Sequence, residues 1–370
     1  MKHSLICLFL LAAVSLFSQN PGFQKADEHA RNTPRSKTQT VSDLAHHLAT
    51  AFISEAEKVR AIYVWVAENI RYDLDALEPG NGLSMRQRSE NQQSTNVLAS
   101  RKGVCEGYAN LFNDLCQAAG VEAEFVSGII RDHEGNIPTI GHAWNIVRVD
   151  GEWFPVDNTW GAGEVDERQG KFVPVFNEKY FLADPVEFLH EHFPNDPLFQ
   201  LLPDPISIET FRIGFEDVPA QPAGEGVFAH FQDSLAWFVT LDSAEKVMNS
   251  YERILRHQPE NAYANTMMAN HYNDIANDAM LGFQIVAEKV AVGDDLALEI
   301  RNIENAIKQI RAVIANTKIS LTYLEKIKRN DESQQQLQAT IKAAKEMLAS
   351  AMRTERELVK IKTSLKKLEK

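Results

Sequence analysis

Between Cys105 and Ala119 the apolar side chains Tyr108, Ala109, Phe112, Leu115, Cys116 and Ala119 recur at three- and four-residue steps. That period predicts an amphipathic helix, with Gly103 ahead of its start and Gly120 at its stop. Two extended runs follow, His142 to Val149 and Glu152 to Asp157. Asp150-Gly151 between them is a favoured two-residue hairpin turn. That turn sets Val149 opposite Glu152 and Trp144 opposite Asp157. Side chains alternate along a strand, so His142, Trp144, Asp157 and Thr159 project from one face. His142 and Asp157 become diagonal neighbours, roughly 7 Å apart between Cα atoms. Glu122 to Arg131 and Phe172 to Phe176 read as further strands. Upstream, Leu44, Leu48, Phe52, Val59, Ile62, Tyr63, Val66 and Ile70 mark helical apolar faces with a break near Ser54.

The pattern changes after Phe211. Pro219, Pro222, Gly224 and Gly226 predict an irregular connection over 216–242. From Ser243 the period is helical, and Tyr251, Pro259, Met268, Ala269 and Tyr272 have the spacing of one tetratricopeptide-like hairpin, over 243–285. Leu296, Ile300, Ile303, Ile307, Ile310, Ile314, Thr317, Leu321 and Leu324 then form an unbroken heptad seam. After an interruption at Arg329 to Ser333, Leu337, Ile341, Ala344, Leu348, Ala351, Leu358, Ile361, Leu365 and Leu368 share a face. The simplest packing is an antiparallel helical, coiled-coil-like region over 286–370, able to present a surface to a protein partner.

The chemistry gathers on three residues. Cys105 lies in the first helical turn, where unpaired N–H groups and the helix dipole favour a thiolate. Cys116 lies mid-helix on the apolar face and reads as inert core. Roughly 16 Å of helix separates the two, beyond disulfide reach. A cysteine nucleophile, a histidine base and an aspartate orienter are what attack on an amide carbonyl requires. An oxyanion hole would combine the Cys105 N–H with one donor from Gln92, Gln93 or Asn96, and the residues leave that choice open. Glu78 to Ser94, rich in Gly, Asn, Ser, Gln and Arg, reads as a mobile loop beside the cleft. His190 and His192 alternate, but without a ligand cluster around them they read as structural. Trp160 is a candidate for the cleft wall, Trp144 and Trp153 for core.

Composition narrows the classes. The 370 residues carry a formal charge of −13 with 44% hydrophobic and 24% charged residues, ordinary for a multi-domain soluble protein and unsuited to general nucleic-acid binding. Three cysteines make no disulfide framework. Lys2 and His3 followed by an apolar run from Leu5 to Phe17 predict a signal peptide over 1–18, cleaved near Ser18, and hence export. That run is too short to span a bilayer, and no other segment is apolar enough. Residues 19–40 are polar and aperiodic and read as a linker. Nothing in the motifs asks for a metal or cofactor.

Gly103-Val-Cys-Glu-Gly-Tyr-Ala109, Gly141-His-Ala-Trp-Asn145 and Val156-Asp-Asn-Thr-Trp160 resemble the transglutaminase-like superfamily. The resemblance is narrower to the kyphoscoliosis-peptidase and hillarin branch, through Trp65 to Asp73, Tyr180 to Pro185 and His192 to Pro197. It covers about residues 41–211. It implies an α+β chain whose papain-like transglutaminase core, over 41–215, has Cys105, His142 and Asp157 at the catalytic positions. It also implies a protein or peptide substrate carried as a thioester. Water as acceptor makes a peptidase or amidase, and a lysine amine makes a cross-linking transferase. Hydrolysis is preferred because transfer needs a site that excludes water. The alternative is a non-catalytic scaffold, since some members of the wider group have lost the cysteine.

Overall fold

In the computed structural model, Asp150 and Gly151 both take positive φ, 51° and 90°, the left-handed pair that a tight two-residue hairpin demands. The register follows as the turn predicts, with Val149 opposite Glu152 and Asn145 opposite Val156. The structure describes residues 21–77, 82–132, 134–138, 140–166, 168–215, 230–290, 295–328 and 333–368. The expected export segment, with Cys7, lies outside the described residues. The chain divides into two units at Leu241/Asp242.

The first unit begins with α1 (Gln24–Arg31), α2 (Val41–Thr50) and α3 (Glu55–Asn69), then β1 (Arg71–Tyr72), α4 (Met85–Asn91), α5 (Ser94–Ser100) and β2 (Lys102–Gly103). Next come α6 (Cys105–Ala118), β3 (Ala123–Ile130), β4 (His142–Val149), β5 (Glu152–Val156) and α7 (Asn158–Ala162). β6 (Gly163–Asp166), β7 (Lys171–Pro174), α8 (Pro185–Leu189), β8 (His192–Pro194), α9 (Ile208–Ile213) and α10 (Phe231–Phe238) complete it. The main sheet is antiparallel in the order β5-β4-β3-β8. One core packs Val147, Val149 and Val156 against Tyr108, Leu111, Phe112 and Leu115 of α6 and the buried face of α3. A second gathers Trp144, Ile146, Trp153, Tyr180 and Phe188. β4 is thus covered on both sides, which explains its nearly unbroken burial. The unit is an α+β fold.

Three expectations for the first unit need correction. Residues 24–31 are no linker: α1 buries Ala26 and Ala30, a face of alanines too small to stand out as an apolar period. Its Asp27 grips the buried Arg60 guanidinium through two oxygens at 2.6 and 2.9 Å, while Glu178 holds the other side. Phe23, Phe176 and Phe181 surround the same cation, with centroids 5.6, 5.3 and 4.9 Å away. Residues 85–91 of the expected loop form α4, started by a capping box between Ser84 and Gln87; residues 78–81 lie outside the description. The expected connection over 216–242 includes α10, whose Leu235 and Phe238 are buried in the second core.

The second unit contains α11 (Ser243–His257), α12 (Ala262–Val290), α13 (Leu296–Leu324) and α14 (Ser333–Leu368). Ser320 Oγ donates to Ala269 O and Gln309 lies against Gly282, so α12 and α13 run antiparallel. Glu304 with Lys366, Arg311 with Glu355 and Glu325 with Lys345 do the same for α13 and α14. The predicted seam from Ile300 to Leu324 is buried. On α14 it is buried at Leu337, Ile341, Ala344 and Ala351, whereas Ile361 and Leu368 are exposed. The expected boundary after residue 285 falls inside α12, because no helix breaker stops that helix there. Among the described residues no helix is long and apolar enough to cross a membrane.

Asp27→Ala removes two charge-assisted hydrogen bonds from the buried Arg60 and leaves Glu178 as its remaining ion-pair partner. It should destabilise the first unit by about 2 kcal/mol and expose the stretch around residues 31–40 to protease. Chemical denaturation and limited proteolysis check this; an unchanged midpoint would remove the Arg60 pair from the fold's supports.

Candidate active site

Four contacts hold the cysteine helix in place. Cys105 is its first residue, following Val104 in extended conformation. Tyr108 Oη donates to Ile70 O at 2.6 Å, tying α6 to the end of α3. Asn145 Nδ2 donates to Ala109 O at 3.1 Å, joining β4 to α6. Gln92 Oε1 accepts the Val104 N–H at 2.9 Å, and Asn110 Nδ2 donates to Gln92 O at 2.9 Å. Gly107 makes the last pair of contacts accessible: a Cβ there would come 2.5 Å from Gln92 Oε1 and 2.8 Å from Val97 Cγ2. Of the three side-chain donors left open by the residues, only Gln92 is built against this helix. Gln93 is the exposed residue ahead of α5, and Asn96 donates instead to Glu90 O.

His142 opens β4 and Asp157 follows β5, and the hairpin register brings them together with Nε2 2.7 Å from Oδ2. Asp157 is fully buried. It also caps α7, its Oδ1 accepting the Thr159 and Trp160 N–H groups at 2.7 and 3.1 Å. With Nε2 committed to the carboxylate, Nδ1 is the ring nitrogen free to serve Cys105, whose side chain is near enough to raise the His142 pKa. Burial disfavours a charged imidazole, but the Asp157 charge and hydrogen bond, reinforced by Cys105, outweigh it and raise the His142 pKa to about 10. Burial likewise opposes the Asp157 carboxylate. The charge and hydrogen bond of His142, with the hydrogen bond of His192, hold it below the usual carboxylate range. Burial pushes the Cys116 thiol far up, in keeping with an inert core cysteine, while Cys105 is partly exposed.

His192 is the residue that sequence reasoning set aside. It comes from β8, fully buried, with Nε2 3.0 Å from Asp157 Oδ2. Its alternation with His190 suggested a metal pair, but the two diverge: His190 stacks on Phe215 with centroids 4.3 Å apart. The available signal was its place in the His192 to Pro197 stretch of the resemblance. Ligand atoms of His142, Asp157 and His192 lie within 4.8 Å of one another, close enough for a cation. Each Asp157 oxygen already accepts two hydrogen bonds, however, and a metal would have to displace an imidazole from it. The donor set therefore fits a hydrogen-bonded cluster better than a metal site. Trp160 is half-buried beside it, 5.7 Å from His142 between centroids, whereas Trp144 and Trp153 are core.

The fold and this helix–hairpin arrangement are those of a transglutaminase-like domain: residues 42–158 match the transglutaminase-like superfamily model, and the chain carries that domain. Among characterised proteins it is similar to kyphoscoliosis peptidase of Mus musculus, 34% identical over 195 residues, which is 51% of this chain and 28% of that protein. The Homo sapiens kyphoscoliosis peptidase is 34% identical over 197 residues, with the same coverage of 51% and 28%. Hillarin of Drosophila melanogaster is 27% identical over 207 residues, 51% of this chain and 24% of its own length. The match thus spans about a quarter of each relative's length.

His142 should titrate near 10 by histidine-labelled NMR, and Asp157→Asn should bring that midpoint down, because Cys105 alone is then left to oppose burial. Since the folded pKa is raised, the His142 contribution to stability is complete below about 6.5 and lost as pH rises through about 10. Wild type should therefore lose stability relative to Asp157→Asn across that window. A wild-type advantage that instead grew as pH rose toward 10 would contradict the pairing.

Proposed function

We propose that the chain is an exported cysteine enzyme that attacks amide carbonyls of protein or peptide substrates through Cys105. The observation that carries this reading is the buried His142 imidazole, held between Asp157 and the partly exposed Cys105 sulfur. Cys105 Sγ adds to the carbonyl carbon. The oxyanion is received by the Cys105 N–H, one of the first-turn amides with no intrahelical acceptor, and by Gln92 Nε2. His142 then gives its Nδ1 proton to the leaving nitrogen as the C–N bond breaks, leaving a thioester. Asp157 stays ionised and keeps the Nε2–H tautomer throughout. Water, activated by the now neutral His142, completes hydrolysis; a primary amine in its place would complete transfer. Hydrolysis is preferred, since Cys105 is open to solvent. The export assignment rests on the apolar run from Leu5 to Phe17, and the kyphoscoliosis peptidase name of two relatives supports the hydrolytic one.

Incubating the protein with casein and a fluorescent primary amine separates the acceptors. The expected result is peptide release exceeding amine incorporation, with both abolished in Cys105→Ala and His142→Ala. Incorporation exceeding release would make the chain a transferase. Neither reaction, on casein or on a diverse peptide mixture, would favour the scaffold reading.

Gly107→Ala tests the oxyanion assignment. The new methyl should push Gln92 from its place and lower turnover by about 10²-fold, the usual loss for one oxyanion donor, while the His142 midpoint stays unchanged. Full activity in this variant would remove Gln92 from the mechanism.

A further inference from the structure

The acyl-transfer chemistry gives His192 no task, yet the fold goes to some length to place it. β8 approaches β3 closely because Gly128 has no side chain: a Cβ there would collide with Phe193 O and the Trp144 ring. The His192 ring stacks on Phe188 with centroids 4.0 Å apart, and Trp160 and Trp144 meet it edge-on at 4.6 and 5.2 Å. Its Nδ1 is buried without a hydrogen-bond partner. The tautomer follows from these contacts. An ionised Asp157 only accepts, so Nε2 carries the hydrogen. A second proton on Nδ1 would be a buried donor with no acceptor, which costs free energy. Burial accordingly lowers the His192 pKa despite the nearby carboxylate. His192 is a permanent neutral donor.

We propose that His192 is a positioning residue that shares Asp157 Oδ2 with His142, so that the carboxylate keeps a second donor when His142 gives up its charge. The proposal rests on the reading of Cys105, His142 and Asp157 as an acyl-transfer site and deepens it. In the step concerned, the leaving nitrogen takes the His142 Nδ1 proton as the C–N bond breaks. His142 becomes neutral, Asp157 remains a carboxylate, and His192 is unchanged. A donor stabilises a bare carboxylate more than one already paired with a cation. His192 therefore favours the state with neutral His142 and makes its proton easier to release.

Other ionisable groups around the cluster leave this titration to His142. The Tyr63, Tyr72, Tyr108 and Tyr180 phenols are kept protonated by burial. Glu191 acts on His192 and is held by Lys179 and the Tyr180 hydroxyl. Cys105 faces His142 and is present in every variant below.

The test is the His142 midpoint in the full chain, read by NMR with labelled histidine in wild type, His192→Phe and His192→Gln, together with melting temperature. Phenylalanine fills the aromatic cage without a donor, and glutamine returns an N–H at similar reach. The midpoint should rise in His192→Phe and return toward wild type in His192→Gln. If the phenylalanine variant does not fold, His192→Asn, whose amide is too short to reach, should give the same rise. An unmoved or lowered midpoint with only the melting temperature reduced would make His192 a packing residue and overturn the inference. The midpoint requires no turnover. A wild type that acylates nothing at Cys105 would therefore defeat the proposed function while leaving this result to be read on its own.

Discussion

A carboxylate taken wholly out of water costs several kcal/mol unless donors replace the water it lost. Asp157 has four: two backbone N–H groups at the start of α7 and two imidazoles. Each comes from a separate decision of the fold. The caps require the chain to turn into a helix directly after β5. His142 requires the hairpin register, and His192 requires β8 to close on β3 at Gly128. Around this point the helix bearing Cys105 is pinned to β4 by Asn145 and to α3 by Tyr108. The site is therefore set by backbone topology before any side-chain adjustment.

The same logic separates what was legible in the sequence from what was not. The cysteine helix and the hairpin were readable because each rests on a local rule, a three-to-four period in one case and a two-residue turn in the other. Register then carried His142 to Asp157 across the hairpin. His192 was not readable this way, since it reaches Asp157 through a three-residue strand paired with β3, and no local period marks that pairing. Gln92 was one of three equal candidates until its contact with the Val104 N–H distinguished it. The first helix was missed because alanines form its buried face and because the charge that draws it in, Arg60, lies far along the chain. The seam of α13 was legible residue by residue. Its continuation on α14 was over-read at Ile361 and Leu368, which are exposed.

Arg60 shows a second buried charge handled differently. Two carboxylates and three phenylalanine rings enclose it, and Glu178 precedes Tyr180, whose carbonyl accepts the Asp157 N–H at 3.0 Å. The cation thus links the first helix to the segment that supports the Asp157 carboxylate. Tyr63, on the same helix as Arg60, donates to Asn177 O at 2.6 Å and braces that segment again.

The central claim is that Cys105 forms an acyl-enzyme with help from His142. Intact-mass spectrometry of the full chain, quenched shortly after mixing with p-nitrophenyl acetate, addresses it most directly. The account predicts a single acetyl group on Cys105 that forms much more slowly in His142→Ala and is absent in Cys105→Ala. Acetylation at equal rates in wild type and His142→Ala, or at residues other than Cys105, would contradict it.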